Sequence, residues 1–239
     1  MFTLLLSLIS SFVASVLIYF ISYSYIWSII VAILVFFGIN FLTGRKILKK
    51  LTALFNSIEK DLQKNKSENA INKLQNGLKY AKWQFFVKEQ INSQVGIIYY
   101  TNKQFDKAKS YLEKGFTKHW MGMSMLAALY FKEKHYEDVK RTMQRAIKKS
   151  PKEGFLYSTY AYFLYQLNEK NKAMEIMVKG NKKVPMDDKL ASNLDALKNG
   201  KRMKIQNYGH LWMQLNIEKA PHGVKPYQMF LSNKRGKRR

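Results

Sequence analysis

Four histidines are the side chains of this sequence best suited to acid–base or metal chemistry near neutral pH: His119, His135, His210 and His222. None stands at ligand spacing from another, and the chain has neither an HExxH helix nor a phosphate-binding glycine loop. Glu133 and His135 come closest, in FKEKHYEDV, but that stretch reads as a surface loop between helices. There is no cysteine, which removes thiol nucleophiles, disulfides and zinc–thiolate sites. No nucleophile–base pair follows from spacing. We therefore expect no catalysis, no metal and no cofactor. The chemistry the sequence does advertise is electrostatic. Its 41 Lys and Arg against 16 Asp and Glu give a formal charge of +25. That balance suits anionic lipid headgroups, nucleic acid or an acidic protein as neighbours.

The charge is unevenly placed. From Met1 to Gly44 the only ionisable side chains are tyrosines. This stretch splits at SYSY, Ser22 to Tyr25, into apolar segments Phe2–Ile21 and Ile26–Leu42. A hydrocarbon layer about 30 Å thick is crossed by roughly 17–25 helical residues, and both segments qualify. Residues 1–44 are thus expected to form a transmembrane helical hairpin, with Tyr19, Tyr23, Tyr25 and Trp27 as interfacial aromatics near its turn. A cleaved signal peptide would carry a basic leader and no second apolar segment. Arg45, Lys46, Lys49 and Lys50 crowd the end of the second segment. The positive-inside rule holds such clusters in the cytoplasm, so the expectation is a two-pass inner-membrane protein with residues 45–239 on the cytoplasmic side. The same four side chains are candidate contacts for anionic lipid or phosphate.

Beyond the basic cluster a pattern recurs. SMLAALYFKEKHYEDVKRTMQRAIKKSP carries Ala127, Tyr130, Val139, Met143, Ala146 and Pro151. GFLYSTYAYFLYQLNEKNKAMEIMVKGNKKVP carries Ala161, Leu164, Ala173, Met177, Gly180 and Pro185. Ala127 and Ala161 are 34 residues apart, as are Pro151 and Pro185. A third copy, SQVGIIYYTNKQFDKAKSYLEKGF, supplies Gly96, Tyr99, Ala108, Leu112 and Gly115, 31 residues ahead of the next. Small residues let paired helices approach closely, and proline ends the second helix because it donates no amide hydrogen and clashes with the preceding turn. The period and these residues resemble the tetratricopeptide (TPR) repeat, a helix–turn–helix unit that buries its apolar face only by stacking. The layout of two apolar spans before the repeats resembles membrane-anchored bacterial repeat proteins, the HemY family among them.

The resemblance implies an all-α chain. Its parts would be the hairpin (1–44), juxtamembrane helices with a degenerate repeat (45–88), three repeats (89–187), a capping helix (188–200) and a basic extension (201–239). Asp187 or Asp188 is the expected N-cap of the capping helix and Gly200 its stop. The resemblance also implies a concave groove lined by the first helix of each unit. Its positions would be Met121 and Phe155; Ser93, Ser124 and Ser158; Ile97, Ala128 and Tyr162; and Tyr100, Phe131 and Tyr165. Such a lining predicts a groove of apolar and hydrogen-bonding character that takes a protein or peptide segment. It argues against a carboxylate clamp, because Ser93, Met121, Met125, Ile97 and Phe155 stand where basic or polar residues are needed.

In the extension, Leu211, Met213, Leu215 and Ile217 alternate with polar or larger residues, which predicts a short strand, with a helix from Tyr208 as the alternative. Pro221, Gly223 and Pro226 then break regular structure. Lys234, Arg235, Lys237, Arg238 and Arg239 end the sequence as further candidate contacts for anionic lipid or phosphate. The partners expected are the bilayer, its anionic headgroups and a protein in the groove. Nucleic acid bound through the basic surface is the competing class.

Overall fold

The computed structural model describes residues 2–217, and every regular element among them is helical. By internal packing the chain divides into two units, Met1–Ile91 and Asn92–Arg239.

In the first unit the uncharged leader forms α1, Phe2–Ser22, which packs against α2, Tyr25–Gln63. The polarity of this pair is inverted. Ser7, Ser11 and Ser28 are buried, while Leu5, Phe12, Leu17, Phe20, Ile29, Leu34, Phe37 and Phe41 are exposed. The Asn40 amide donates to the Ser7 hydroxyl at 2.8 Å across the pair. Ser11, Ser28 and Thr43 return their hydroxyl hydrogens to carbonyls of their own helices. At the hairpin turn the Tyr19 and Tyr25 hydroxyls meet at 3.1 Å.

The second apolar stretch does not end near Gly44. α2 continues through the basic run as one 39-residue helix. Residues 45–63 hold no proline and are mostly good helix formers, so Gly44 costs only about 1 kcal/mol of propensity and stops nothing. Ile47, Leu51 and Ile58 bury one face of this continuation. The next helical pattern is α3, Ser67–Asn76, with Ala70 and Leu74 fully buried. It tightens into a 3₁₀ turn at Gly77–Lys82, which leaves Leu78 on the surface.

The second unit is a succession of helix pairs. α4 (Val87–Thr101), whose first turn belongs to the first unit, pairs with α5 (Phe105–Glu113). α6 (Trp120–Lys132) pairs with α7 (Tyr136–Lys149), and α8 (Gly154–Gln166) with α9 (Lys170–Lys183). α10, Asp188–Lys198, packs on α8 and α9. The small residues sit where the helices touch. A methyl on Gly96 would lie 2.7 Å from the Leu112 side chain, and one on Gly180 would lie 2.6 Å from the root of the Tyr157 ring. Ala127, Ala161, Ala108 and Ala173 are wholly buried.

The three turns within pairs share one backbone solution. Lys103, Lys134 and Asn168 take left-handed φ values of 61°, 62° and 62°. In each, that residue's N–H bonds three residues back and the next N–H five residues back, as in His135 to Tyr130 and Glu169 to Leu164. This is the Schellman closure, which normally recruits glycine. Gly200, at φ 65°, closes α10 in the same way. A lysine in this conformation is strained by about 1 kcal/mol. Lys134→Gly should therefore raise stability by about that amount, read as a higher urea midpoint at unchanged slope.

No strand forms in the extension as far as residue 217. Ile205–Tyr208 is a 3₁₀ turn, and His210–Met213 is a single helical turn, α11. The period-two alternation fails because every neighbouring element is a helix, leaving a strand no edge to pair with. Instead Tyr208, Trp212 and Leu215, four and three residues apart, point the same way and are buried. Residues Lys234, Arg235, Lys237, Arg238 and Arg239 lie outside the described residues.

Candidate functional site

The helices that open each pair, α4, α6 and α8, present the eleven residues expected to line a groove. Their surroundings divide them into three groups. Two of the serines are engaged inside the stack. Ser93 accepts the Phe116 N–H at 2.7 Å and braces the turn after α5, and Ser124 donates to the Trp120 carbonyl one turn back at 2.9 Å. The expected row of free serine hydroxyls is therefore not an open hydrogen-bonding strip, because tertiary and local acceptors satisfy it first. Met121, Ile97 and Ala128 are buried in the same core.

A second group is covered by the extension. Tyr208 stands at its centre. The Tyr208 and Ser158 hydroxyls are 3.0 Å apart, and the Tyr208 O–H also reaches Asp187 Oδ2 at 3.3 Å. Its ring meets Phe155 edge-on at 5.2 Å, and the Lys189 amine lies 5.5 Å above it. Burial drives the Tyr208 hydroxyl pKa well above its ordinary value. Asp187 does double duty, since its other oxygen caps α10 by accepting from Lys189 and Leu190 N–H groups at 3.1 and 3.0 Å. Further along, Trp212 packs edge-on against Tyr162 at 4.7 Å, and the Tyr100 hydroxyl donates to the Leu215 carbonyl. Tyr100 is fully buried, and desolvation raises its pKa strongly.

The third group stays partly open. Phe131 stacks on Phe163 at 4.9 Å, and Tyr165 carries Lys170 above its ring at 5.8 Å; both are half-buried. With Tyr162, which is also only partly buried, they are the parts of the expected lining that keep a solvent-facing side. Tyr208, Trp212 and Leu215 were not among the residues read from the sequence as belonging to this face. The signal was present in their helical spacing, but the alternation beside it suggested a strand.

A second cluster lies in the first unit. The Thr3 hydroxyl donates to the Trp83 carbonyl at 2.5 Å, and the Phe2 ring meets Trp83 edge-on at 5.5 Å. A cleft of about 240 Å³ opens between α2 and the 3₁₀ turn, lined by Thr43, Lys46, Ile47, Lys50, Tyr80 and Trp83. Two of the four basic residues expected to meet anionic groups thus flank an apolar floor. Lys49 and Arg45 lie exposed on the same stretch of helix. Exposed Trp83, Phe85 and Phe86 add an aromatic edge.

His119 and His135 are held in structural contacts, and His222 lies outside the described residues. His119 caps α6, its Nδ1 accepting the Gly122 N–H at 3.3 Å, and burial lowers its pKa. His135 lies 3.5 Å from Glu133, which pairs with Lys109 at 2.5 Å on the surface. Among the described residues no three His, Asp or Glu side chains gather as a metal site.

No known family profile matches the chain, and no curated protein matches it. Among the solved structures similar to it are the following two. "MamA RS-1 ArsTM double mutant" is 16% identical, with a TM-score of 0.47, and the match covers 69% of this chain and 92% of that one. "MamA 41-end from Desulfovibrio magneticus RS-1" is 15% identical, also at a TM-score of 0.47, and the match covers 71% of this chain and 97% of that one. Similarity at that level assigns neither family nor function.

Proposed function

We propose that this protein is a membrane-anchored adaptor of the tetratricopeptide-repeat type. In this reading α1 and α2 cross the bilayer, and the stacked helix pairs stand in the cytoplasm to bind a protein partner on the face formed by α4, α6 and α8. The observation that carries the anchor is the inverted polarity of the hairpin, with serines and an asparagine inside and leucine, isoleucine and phenylalanine outside. Water would penalise that arrangement, whereas lipid rewards it. The 21 residues of α1 give a length of about 31 Å, matching the hydrocarbon layer.

Sidedness rests on Arg45, Lys46, Lys49 and Lys50, with Lys79 and Lys82 in the 3₁₀ turn, at one end of the hairpin. Trp83, Phe85 and Phe86 suit the headgroup layer at that end, where the cleft between Lys46 and Lys50 would meet anionic lipid. The protein-binding role is supported by the recurring helix pairs and by the aromatic side chains that stay half-open at Phe131 and Tyr165.

A photo-crosslinking residue placed at Phe131 or Tyr165, activated in intact membranes, tests the role. The adaptor reading expects a discrete protein adduct from these sites and none from Lys179 on α9. Absence of any protein adduct, or the same adducts from Lys179, would count against it.

A further inference from the structure

The inner face already holds a ligand-like segment, and that segment belongs to the same chain. Residues 203–217 lie against α8 and α4 as a 3₁₀ turn followed by a single helical turn, with Tyr208, Trp212 and Leu215 as anchors. Two features set this stretch apart from a further repeat helix. It is joined to α10 by Lys201–Lys204, which form no regular structure and leave Lys201, Arg202 and Lys204 exposed. It is hinged at two glycines with positive φ, Gly200 at 65° and Gly209 at 55°, neither hemmed in by a neighbour.

Its contacts are those of a bound peptide: rings set edge-on against rings, one hydroxyl shared with Ser158 and Asp187, and one backbone carbonyl, that of Leu215, accepting from the Tyr100 hydroxyl. Short segments that dock by a few aromatic anchors can exchange with competitors carrying the same anchors. Resting on the adaptor reading above, we propose that residues 203–217 are an intramolecular ligand of the inner face. The partner's binding element is then an aromatic–aliphatic segment of the same kind, which enters by displacing them. Tethering gives the resident segment a high effective concentration, so it acts as a threshold that a partner must exceed. The free partner segment need not be acidic, since the contacts in place are apolar and hydrogen-bonded.

Two measurements on the full chain in lipid nanodiscs test this. In hydrogen exchange on the unmodified protein, the amides of Gly209, Met213 and Leu215 should exchange at least a hundredfold faster than those of the α8 interior. Equal protection would make the segment an integral part of the stack and overturn the proposal. In the second, a fluorescent peptide of residues 201–217 is titrated onto the unmodified protein and onto Tyr208→Ala/Trp212→Ala. The double variant, helical by circular dichroism, should bind at least tenfold more tightly than the unmodified protein. Adding Tyr162→Ala should abolish that gain. A folded double variant that binds no better would overturn the proposal, and if it fails to fold the exchange measurement decides. Neither result depends on capturing a partner, so failure of the adaptor reading would be seen separately, in the crosslinking.

Discussion

Replacing Leu34 and Phe37 together by arginine should deplete the two-pass, alkali-resistant membrane form of this protein by well over tenfold. Both side chains are exposed, at 66% and 65%, near the middle of the apolar part of α2. On the insertion scale each arginine near the centre of a span costs about 3 kcal/mol, while the residue it replaces contributes a few tenths in the other direction. The pair therefore opposes insertion by about 6 kcal/mol, roughly four orders of magnitude in an equilibrium. In a water-soluble hairpin the same exposed positions would accept arginine within about 0.5 kcal/mol. The two accounts of the leader thus differ in outcome rather than degree. Carbonate extraction of membranes, with protease accessibility of the retained fraction, reads the result.

The second large effect is expected at Gly180. Alanine is the better helix former there by about 1 kcal/mol, so an open position would gain from the change. This position is closed. The new methyl would lie 2.6 and 2.7 Å from Cγ and Cβ of Tyr157. Those atoms belong to the root of the side chain, and the Tyr157 hydroxyl is tied to the Pro151 carbonyl at 3.1 Å, so the ring cannot simply swing away. Overpacking of a closed contact costs typically 1–3 kcal/mol, and here it outweighs the propensity gain. We expect Gly180→Ala to destabilise the second unit by about 2 kcal/mol, seen as a lower urea midpoint. A midpoint that rose instead would show that α8 and α9 do not meet at this glycine.

The elements that could be read from the sequence are those fixed by local patterns. The uncharged run up to Gly44 and the recurrence of Ala127, Ala161, Pro151 and Pro185 describe α1, the start of α2 and the helix pairs, because burial against lipid or against a neighbouring repeat imposes a period. The cap at Asp187 and the stop at Gly200 were legible for the same local reason. The end of α2 was not, since a single glycine among helix formers is too weak a signal to set against the buried stripe of Ile47, Leu51 and Ile58. Nor were the left-handed turns, because lysine fills two of the three sites where glycine would have announced them. The state of the inner face lay furthest from view. Whether Ser158, Phe155, Tyr162 and Tyr100 face solvent or the chain's own residues 203–217 depends on contacts 50 to 115 residues apart, as between Ser158 and Tyr208 or Tyr100 and Leu215. No local spacing reports such contacts.

The central claim is that the first two helices cross a bilayer and leave the stacked pairs on its cytoplasmic side. The chain has no cysteine, so single cysteines can be placed without background: Tyr23→Cys in the hairpin turn and Lys179→Cys on α9. Each variant is exposed to a membrane-impermeant maleimide on spheroplasts, before and after permeabilisation. The account predicts that the turn cysteine is labelled on intact spheroplasts and the α9 cysteine only after permeabilisation. Labelling of the α9 cysteine on intact spheroplasts, or recovery of the protein in the soluble fraction, would contradict it.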